Sequence, residues 1–393
     1  MSTDTNKVVL IERYEDLENF YLDNKEVEWI GFDTEFVGEK RFYTLLCLIQ
    51  IATKNGLYII DPIKIKDLSP LLKMIVDPAI LKITHAGEND YKLLHQYFGI
   101  LPKNIFDTQL AAGFIGYKYP ISFSKLVEKE LKVYLKKGYT VSDWESRPIN
   151  KKQLDYALND VIHLEKLWKS LSGKLEKLKR TEWVAEEFQK LEQADTYYFD
   201  PNREALNNNI ILGLNLKEQI FLIRLFAWRR QEAERKNYSK EMILPAKFIG
   251  AFVRNMRSGK GALLNHRRVP DRIIEKYWDI FCRLYQDKPT KEEMELIDRI
   301  PPNPQENPSQ DALMEIMYLI IKYNCHKRHI APDLVVNRSN YKKMKADFDY
   351  FDEKLEEGWR HDMIGEQMIY WLRNRENLEI SMNNGQFTMK VIS

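Results

Sequence analysis

Four short runs of apolar, β-prone residues near the N-terminus constrain the fold of this chain most tightly. The runs are Trp29–Phe32, Leu45–Ala52, Leu57–Ile60 and Leu81–Thr84, and Lys54-Asn55-Gly56 between the second and third is typical of a turn. Because later windows of this region have helical spacing, strands come first and helices then alternate with them. The pattern predicts an α/β domain whose sheet begins as a β-meander.

Amphipathic windows predict helices in both halves of the chain. In the first half they lie at 88–98, 108–114, 122–131 and 151–171, with Asp107 and Ser122 as expected N-caps. In the second half they lie at 217–235, 270–285, 311–323, 340–355 and 364–373. Because alternating apolar runs stop near residue 176, the second half is expected to be all helical.

Length and proline content divide the chain further. A chain of 393 residues exceeds the roughly 250–300 residues that one hydrophobic core usually serves, so several domains are expected. Residues 299–310 hold four prolines, which marks a boundary. We expect an α/β domain at 1–175, a connecting segment at 176–202, and helical domains at 203–298 and 299–393.

Composition restricts the class of protein. Hydrophobic residues make up 44% and charged residues 30%, which is ordinary for a soluble folded protein. No stretch is long and apolar enough to suggest a membrane span, and no signal segment is expected. The three cysteines, Cys47, Cys282 and Cys325, include no CxxC pair, so a reducing, cytoplasmic setting is expected. A monomer is a separate expectation.

Asp33 and Glu35 lie two positions apart on a predicted strand. Strand side chains repeat with period two, so both carboxylates point to one face. Neighbouring acids in an apolar strand repel each other, and a divalent cation between them is one way to relieve this. The alternative is a solvent-facing edge that carries two ordinary acids.

Two further acids follow predicted structural boundaries. Asp90 lies in the first turn after a strand that ends near His85, where open α/β sheets often carry their sites, although it could simply favour the helix dipole. Tyr156 and Asp160 are four apart on the helix expected to begin near Lys151, which places phenol and carboxylate on one face. The alternative is a core aromatic residue followed by an exposed acid.

Taken together, the acids match a known pattern. Asp33-Thr-Glu35-Phe, His85-Ala-Gly-x-x-Asp90 and Tyr156-x-x-x-Asp160 resemble, in order and separation, the three motifs of the DEDDy exonuclease superfamily. The runs Leu48-Ile-Gln-Ile-Ala, Ile60-Asp-Pro and Phe106-Asp-Thr-Gln-Leu-Ala-Ala also resemble ribonuclease D. The similarity covers nearly all of residues 25–175.

This resemblance implies a fold and a mechanism. The fold would be RNase H-like with a mixed sheet, and Asp33, Glu35, Asp90 and Asp160 would hold two divalent metal ions, Mg²⁺ or Mn²⁺. Tyr156 would help to position the attacking water. His85 and Asp107 lie inside matching segments, and we expect both to make local hydrogen bonds only, Asp107 as a helix cap.

The second half carries a partial resemblance. Phe226–Asn237 is similar to the Trp-Arg-x-x-x-Ala-x-x-x-Asn core of the helicase-and-ribonuclease-D C-terminal (HRDC) domain, which binds nucleic acid in several relatives. Tyr238–Lys247 departs from that family's next segment, which leaves the binding surface in doubt. Segments 329–338 and 358–365 look like a weaker second copy. The expected class is therefore an α/β exonuclease domain followed by all-α, HRDC-like domains.

An acid-free stretch at 242–270 could attract RNA, or could be an ordinary solvated face. Its Lys and Arg residues are Lys247, Arg254, Arg257, Lys260, Arg267 and Arg268. The interleaved Phe248, Phe252 and Met256 have the spacing of a helix core stripe.

The function that we expect is 3′→5′ exoribonuclease activity on the 3′ ends of RNA, with tRNA or other stable RNA precursors as substrates. A 3′→5′ DNA exonuclease is the close alternative, because nothing in the acids selects a 2′-hydroxyl. A catalytically silent nucleic-acid-binding scaffold is the alternative from another class.

Overall fold

A six-stranded mixed sheet, in the strand order β1-β4-β3-β2-β5-β6, organises the first part of the chain in the computed structural model. The strands are β1 (Val8–Ile11), β2 (Trp29–Val37), β3 (Leu45–Thr53), β4 (Gly56–Ile60), β5 (Leu81–Thr84) and β6 (Ile105–Asp107). β2 and β6 both run parallel to β5, β1 runs parallel to β4, and β3 and β4 are antiparallel. The structure describes residues 8–135, 143–266, 269–300, 308–337, 340–341, 355–374, 378–383 and 386–391.

Helices cover this sheet. They are α1 (Tyr14–Asn24), α2 (Ser69–Val76), α3 (Glu88–Phe98), α4 (Thr108–Phe114), α5 (Phe123–Leu131), α6 (Lys151–Asn159), α7 (Leu164–Lys177) and α8 (Thr181–Leu191). Those over 88–98, 108–114 and 123–131 match the predicted windows, whereas those over 14–24, 69–76 and 181–191 were not predicted. The single helix predicted over 151–171 is wrong, because the chain turns between Asn159 and Leu164 and forms two helices. Asp160 is therefore the C-cap of α6.

Burial explains why the central strands read so clearly in the sequence. Every residue of β3 from Leu46 to Thr53 is buried, as expected for a strand that is covered on both faces. One face meets α1 and α2 through a core that includes Leu17, Ile49 and Leu71. The other face meets α7, whose Leu164 lies against Gly31 of β2.

Residues 36–45 and 198–305 form a second compact unit, which is helical. Its helices are α9 (Arg203–Leu206), α10 (Leu216–Lys236), α11 (Lys240–Ile243), α12 (Ala246–Asn255), α13 (Lys260–Leu264), α14 (Asp271–Gln286) and α15 (Lys291–Asp298). Phe248, Phe252 and Met256 are buried in its core, so the predicted core stripe is confirmed.

The HRDC-like core sequence lies on α10. Arg229 is 1% exposed, forms ion pairs with Glu204 and Glu241, and donates to the Leu244 carbonyl at 2.6 Å. Asn237 ends the helix in a left-handed conformation, φ 50°. Its side chain also accepts from the backbone N–H of Tyr43, so the loop between β2 and β3 belongs to this helical unit. Nothing in the sequence analysis predicts that packing.

The described residues from 308 onward group with the α/β unit. They contain α16 (Pro308–Lys327), α17 (Pro332–Val335), α18 (Gly358–Ile364), α19 (Glu366–Asn374), β7 (Leu378–Asn383) and β8 (Gln386–Val391). Arg180 donates to the carbonyls of Phe114 and His329 at 2.6 and 2.9 Å, which ties α8 and α4 to the segment after α16. The predicted division into an exonuclease domain and two separate helical domains stays a prediction.

One detail of the fold class is wrong. The second half was expected to be helical throughout, whereas β7 and β8 pair as an antiparallel hairpin. The alternation of Leu378–Asn383 and the Asn384-Gly385 dipeptide after it are together a hairpin signal in the sequence. Most of the helix predicted at 340–355 lies outside the described residues, as do the prolines of 301–307. No helix of the described chain is long and apolar enough to cross a membrane.

Gly31 permits the close approach of α7 to the sheet. A Cβ at this position would lie 3.2 Å from Leu164 Cδ1 and 3.3 Å from Ala52 Cβ, which is tighter than ordinary packing. We expect Gly31→Val to destabilise the protein by about 1–3 kcal/mol through overpacking, measured as a lower urea midpoint.

Gly173 on α7 provides the control, because a Cβ there would have no atom within 4 Å. Gly173→Ala should leave stability unchanged or raise it by up to about 1 kcal/mol, since alanine favours helix. A Gly31→Val protein as stable as wild type would show that the contact is not tight.

Candidate active site

Carboxylates from β2 and from the end of α6 converge at one place. Ligand oxygens of Asp33, Glu35 and Asp160 all lie within 4.8 Å of one another. Asp33 and Glu35 share a face of β2 because strand side chains alternate, and all three residues are partly buried. Three of the four predicted metal ligands therefore lie within reach of a single cation.

Asp160 reaches this place through the way α6 begins and ends. Asn150 and Gln153 form a capping box that fixes the start of α6. The helix ends one residue before Asp160, and α7 then begins at Leu164, over Gly31. Since Gly31 lies two positions before Asp33, the same face of β2 meets α7 and carries the acids.

Asp90 lies outside this group of three but beside it. It is 6% exposed in the first turn of α3, and the hydroxyl of Thr34 donates a hydrogen bond to its carboxylate. Its charge also helps to raise the pKa of Asp33 and of Glu35. Thr34 thus connects β2 to α3, a contact that the sequence analysis did not identify.

Burial shifts all of these carboxyl groups toward the protonated form. Burial, together with the neighbouring charges, raises the pKa of Glu35 to about 8 and holds that of Asp33 well above its usual range. Burial raises the pKa of Asp90 and of Asp160 to about 7. Ionising a buried carboxyl group costs desolvation free energy, so a bound cation is needed to stabilise the ionised state.

The donor set fits hard divalent ions. It consists of carboxylate oxygens, which Mg²⁺ and Mn²⁺ prefer. Structural zinc sites are instead built mainly from nitrogen and sulfur ligands. Among the described side chains, no Lys, Arg or His forms an ion pair with Asp33, Glu35, Asp90 or Asp160. The negative charge is therefore not already compensated by the protein.

His85 and Asp107 have the local roles expected of them. The His85 ring nitrogens lie 2.9 Å from the Thr108 hydroxyl and 3.0 Å from the Ile121 carbonyl. Asp107 caps α4 and also accepts from the backbone N–H of Gly87 at 2.8 Å. Because Gly87 is the N-cap of α3, Asp107 fixes the start of the helix that carries Asp90.

Tyr156 lies one helical turn before Asp160 and is half-buried. Burial, followed by the charges of Asp160, Glu35 and Asp33, raises the pKa of its phenol to about 12. The group is therefore protonated at neutral pH and can donate a hydrogen bond.

The predicted basic residues lie on another part of the chain. Lys247 and Arg254 of α12, Arg257, and Lys260 of α13 are exposed, and none forms an ion pair among the described residues. We call these four the α12–α13 basic surface. Arg267 and Arg268 lie outside the described residues.

Comparison with known proteins gives consistent matches. Residues 8–176 match a family model described as 3′-5′ exonuclease. The chain is 31% identical to Ribonuclease D of Desulfotalea psychrophila over 85% of this chain and 90% of that protein. It is 29% identical to Ribonuclease D of Nitrobacter hamburgensis over 86% and 88% of the two chains.

Solved structures support the same fold. The crystal structure of Escherichia coli RNase D, described as an exoribonuclease involved in structured RNA processing, matches with a TM-score of 0.80 at 23% identity, over 93% of this chain and 98% of that one. The catalytic core of RRP6 from Trypanosoma brucei matches with a TM-score of 0.59 at 22% identity, over 75% and 82%. The RNase H-like fold expected from the sequence is therefore confirmed.

The raised carboxyl pKa values predict how the stability of the metal-free protein depends on pH. A carboxyl group whose pKa is higher in the folded state contributes stability below about pH 4, and this is lost as pH rises through about 7 to 8. We expect the melting temperature of wild type in EDTA to fall over this window relative to Asp33→Asn. Mg²⁺ or Mn²⁺ in 100-fold excess over its Kd should restore about 2.7 kcal/mol at pH 8.

The comparison with Asp33→Asn isolates the site, because other titrations are common to both proteins. Thermal unfolding at several pH values, with and without metal, measures both effects. Equal metal stabilisation of the two proteins would contradict a metal site at Asp33.

Proposed function

Because the chain belongs to the ribonuclease D family, we propose that this 3′→5′ exoribonuclease trims the 3′ ends of structured RNA precursors, with tRNA precursors among them. The observation that carries the site assignment is the convergence of Asp33, Glu35 and Asp160 within 4.8 Å, with no ion pair to a cationic side chain in the part of the chain that the structure describes. Asp90 completes the set through Thr34. We further propose that the protein acts as a monomer in the cytoplasm.

In this proposal each residue of the site has a defined task. Asp33, Glu35, Asp90 and Asp160 hold two divalent ions, Mg²⁺ or Mn²⁺, by their carboxylate oxygens. When bound, the ions supply Lewis acidity to the phosphodiester and to the water that attacks it. Thr34 orients Asp90, and the protonated phenol of Tyr156 donates a hydrogen bond that positions the water.

The α12–α13 basic surface supports a second task, which is to hold the body of the RNA. Its four cations are exposed and lie in a segment without acids, so they are available to phosphates. Charges of this kind act on bound substrate and transition state alike. They should therefore affect KM more than kcat.

The two alternatives from the sequence, a DNA exonuclease and a silent scaffold, are disfavoured by membership of the ribonuclease D family. Filled positions at all of Asp33, Glu35, Asp90, Tyr156 and Asp160 argue for an active enzyme. A single assay separates the functions: 5′-labelled RNA and DNA strands of one sequence are incubated with Mg²⁺ or Mn²⁺. A ladder shortening from the 3′ end of RNA supports the proposal, whereas preference for DNA or no cleavage contradicts it.

Asp33→Asn keeps the shape of the side chain but removes the charge that holds a cation. We expect kcat on RNA to fall by about 100-fold or more, while RNA binding in the absence of turnover is retained. Tyr156→Phe should lower kcat less. Asp155→Asn, which changes an exposed acid on the same helix, is the matched control and should behave as wild type. Near-normal activity of purified Asp33→Asn would refute the site.

Removing the α12–α13 basic surface tests the RNA-binding role. In a variant with Lys247, Arg254, Arg257 and Lys260 changed to Ala, the slope of log affinity against log salt should flatten by about 0.7 for each cation that contacts a phosphate. KM should rise with kcat nearly unchanged.

The control removes exposed cations that lie among acids on α14, on α15 and in the loop between them, namely Arg272, Lys276, Lys288 and Lys291. Both variants lose the same charge, so a difference between them reports location. If both flatten the slope equally, or neither does, the α12–α13 basic surface has no specific role.

A further inference from the structure

Arg147 and Asp61 form a buried, two-pronged ion pair that the mechanism above does not use. Arg147 Nε lies 2.6 Å from Asp61 Oδ2, and Nη2 lies 2.9 Å from Oδ1. The Asp61 side chain has no exposed surface and that of Arg147 is 16% exposed. Asp61 is the acid of the Ile60-Asp-Pro run, and the pair joins positions 86 apart in sequence.

The same guanidinium also binds backbone carbonyls of β3 and of its own loop. It donates to the Cys47 carbonyl of β3 at 2.8 Å and to the Trp144 carbonyl at 2.7 Å. Since Asp61 directly follows β4, the arginine ties its own loop to two neighbouring strands. The fork geometry of arginine suits such a multiple contact, and lysine would make only part of it.

The loop that Arg147 holds places Trp144 against the ring of Tyr156. Trp144 is buried, and its ring centroid lies 6.1 Å from that of Tyr156 with the planes at 36°. The Gln153 amide donates to the Asp143 carbonyl at 3.0 Å, so the loop is also fixed to α6. One side of the Tyr156 ring is thus occupied by a residue whose backbone is held by Arg147.

We propose that Arg147 and Trp144 are positioning residues, which hold the Tyr156 phenol in place beside Asp160. The inference rests on the proposed function, because Tyr156 matters only if it acts on the substrate or its water. Buried ion pairs are weak contributors to net stability, since desolvation offsets most of their attraction. Their fixed geometry is what a positioning role uses. In the competing view, the pair and the indole only stabilise the loop.

A double-mutant cycle separates these views. We expect Trp144→Ala and Tyr156→Phe each to lower kcat by about 10-fold with little change in KM, because a displaced phenol is about as ineffective as an absent one. The combined variant should then be no slower than the slower single variant. Multiplicative losses, about 100-fold in the combined variant, would show that Trp144 acts independently of the phenol and overturn the proposal.

Conservative variants extend the test to Arg147. Trp144→Phe keeps an aromatic ring and should retain most of the wild-type kcat. Arg147→Lys combined with Tyr156→Phe should likewise be no slower than the slower single variant. This second cycle provides the test if Trp144→Ala folds poorly. The matched control is Arg224→Lys. Arg224 makes an equivalent two-pronged pair with Glu293, at 2.6 and 2.7 Å, and donates to the Leu284 carbonyl at 2.7 Å.

Both lysine variants should lower the urea midpoint, but only Arg147→Lys should lower kcat. Equal kcat for the two lysine variants would overturn the positioning role. The role would also be overturned if Trp144→Ala lowered kcat while Tyr156→Phe kept the wild-type kcat. The proposed function is judged separately, by cleavage of RNA by wild type. Loss of the predicted coupling while wild type cleaves RNA therefore counts against this inference alone.

Discussion

The repulsion among partly buried carboxylates is the constraint on which the rest of the site depends. Asp33, Glu35 and Asp160 are held within 4.8 Å although burial opposes their ionisation. The neighbouring groups that shape the site are neutral. Gly31 allows α7 to pack closely on β2, and the Thr34 hydroxyl donates a hydrogen bond to Asp90. A neighbouring arginine would stabilise the same charges but would take the oxygens that a metal needs. The ionised carboxylates therefore keep their oxygens free for a divalent ion, and binding of that ion neutralises their charge.

Arginine is used elsewhere, and the contrast explains the distribution of charge. Arg147, Arg180, Arg224 and Arg229 each donate to backbone carbonyls outside the regular helices and strands, and all but Arg180 also pair with a carboxylate. Each arginine thereby fixes a loop that has no regular hydrogen-bond pattern of its own. The net charge of +2 thus includes contributions from three kinds of charged residue. They are site acids that pair with no described cation, arginines that pair with acids near loops, and exposed cations on α12 and α13.

The sequence predicts those parts whose signal is local. β3 is recognisable because it is buried on both faces, and Asp33 and Glu35 share a face because strands have period two. β6 was not predicted because a strand of three residues is too short to show periodicity. β1 was not predicted either, although its apolar run of four residues is as long as that of β5. The break between α6 and α7 leaves no proline or glycine to mark it. Contacts such as Asp61 with Arg147 or Tyr43 with Asn237 join distant positions, so no window of sequence contains them. The hairpin of β7 and β8 has a local signal, the alternation in its first strand and the Asn-Gly dipeptide after it, so this part of the fold is predictable from sequence.

Divalent ions have two opposing effects on an enzyme built in this way. At the carboxylates they compete with protons, because burial keeps the pKa of Glu35 near 8 and that of Asp160 near 7, so occupancy improves as pH rises. If the α12–α13 basic surface holds RNA as proposed, divalent ions also act as counterions of the RNA and weaken that attraction. Buried charge is screened little by salt and exposed charge strongly. In this arrangement monovalent salt acts mainly on RNA binding and pH mainly on metal occupancy, whereas the divalent ion acts on both. Activity should therefore pass through an optimum as the divalent-ion concentration rises, rather than reach a plateau.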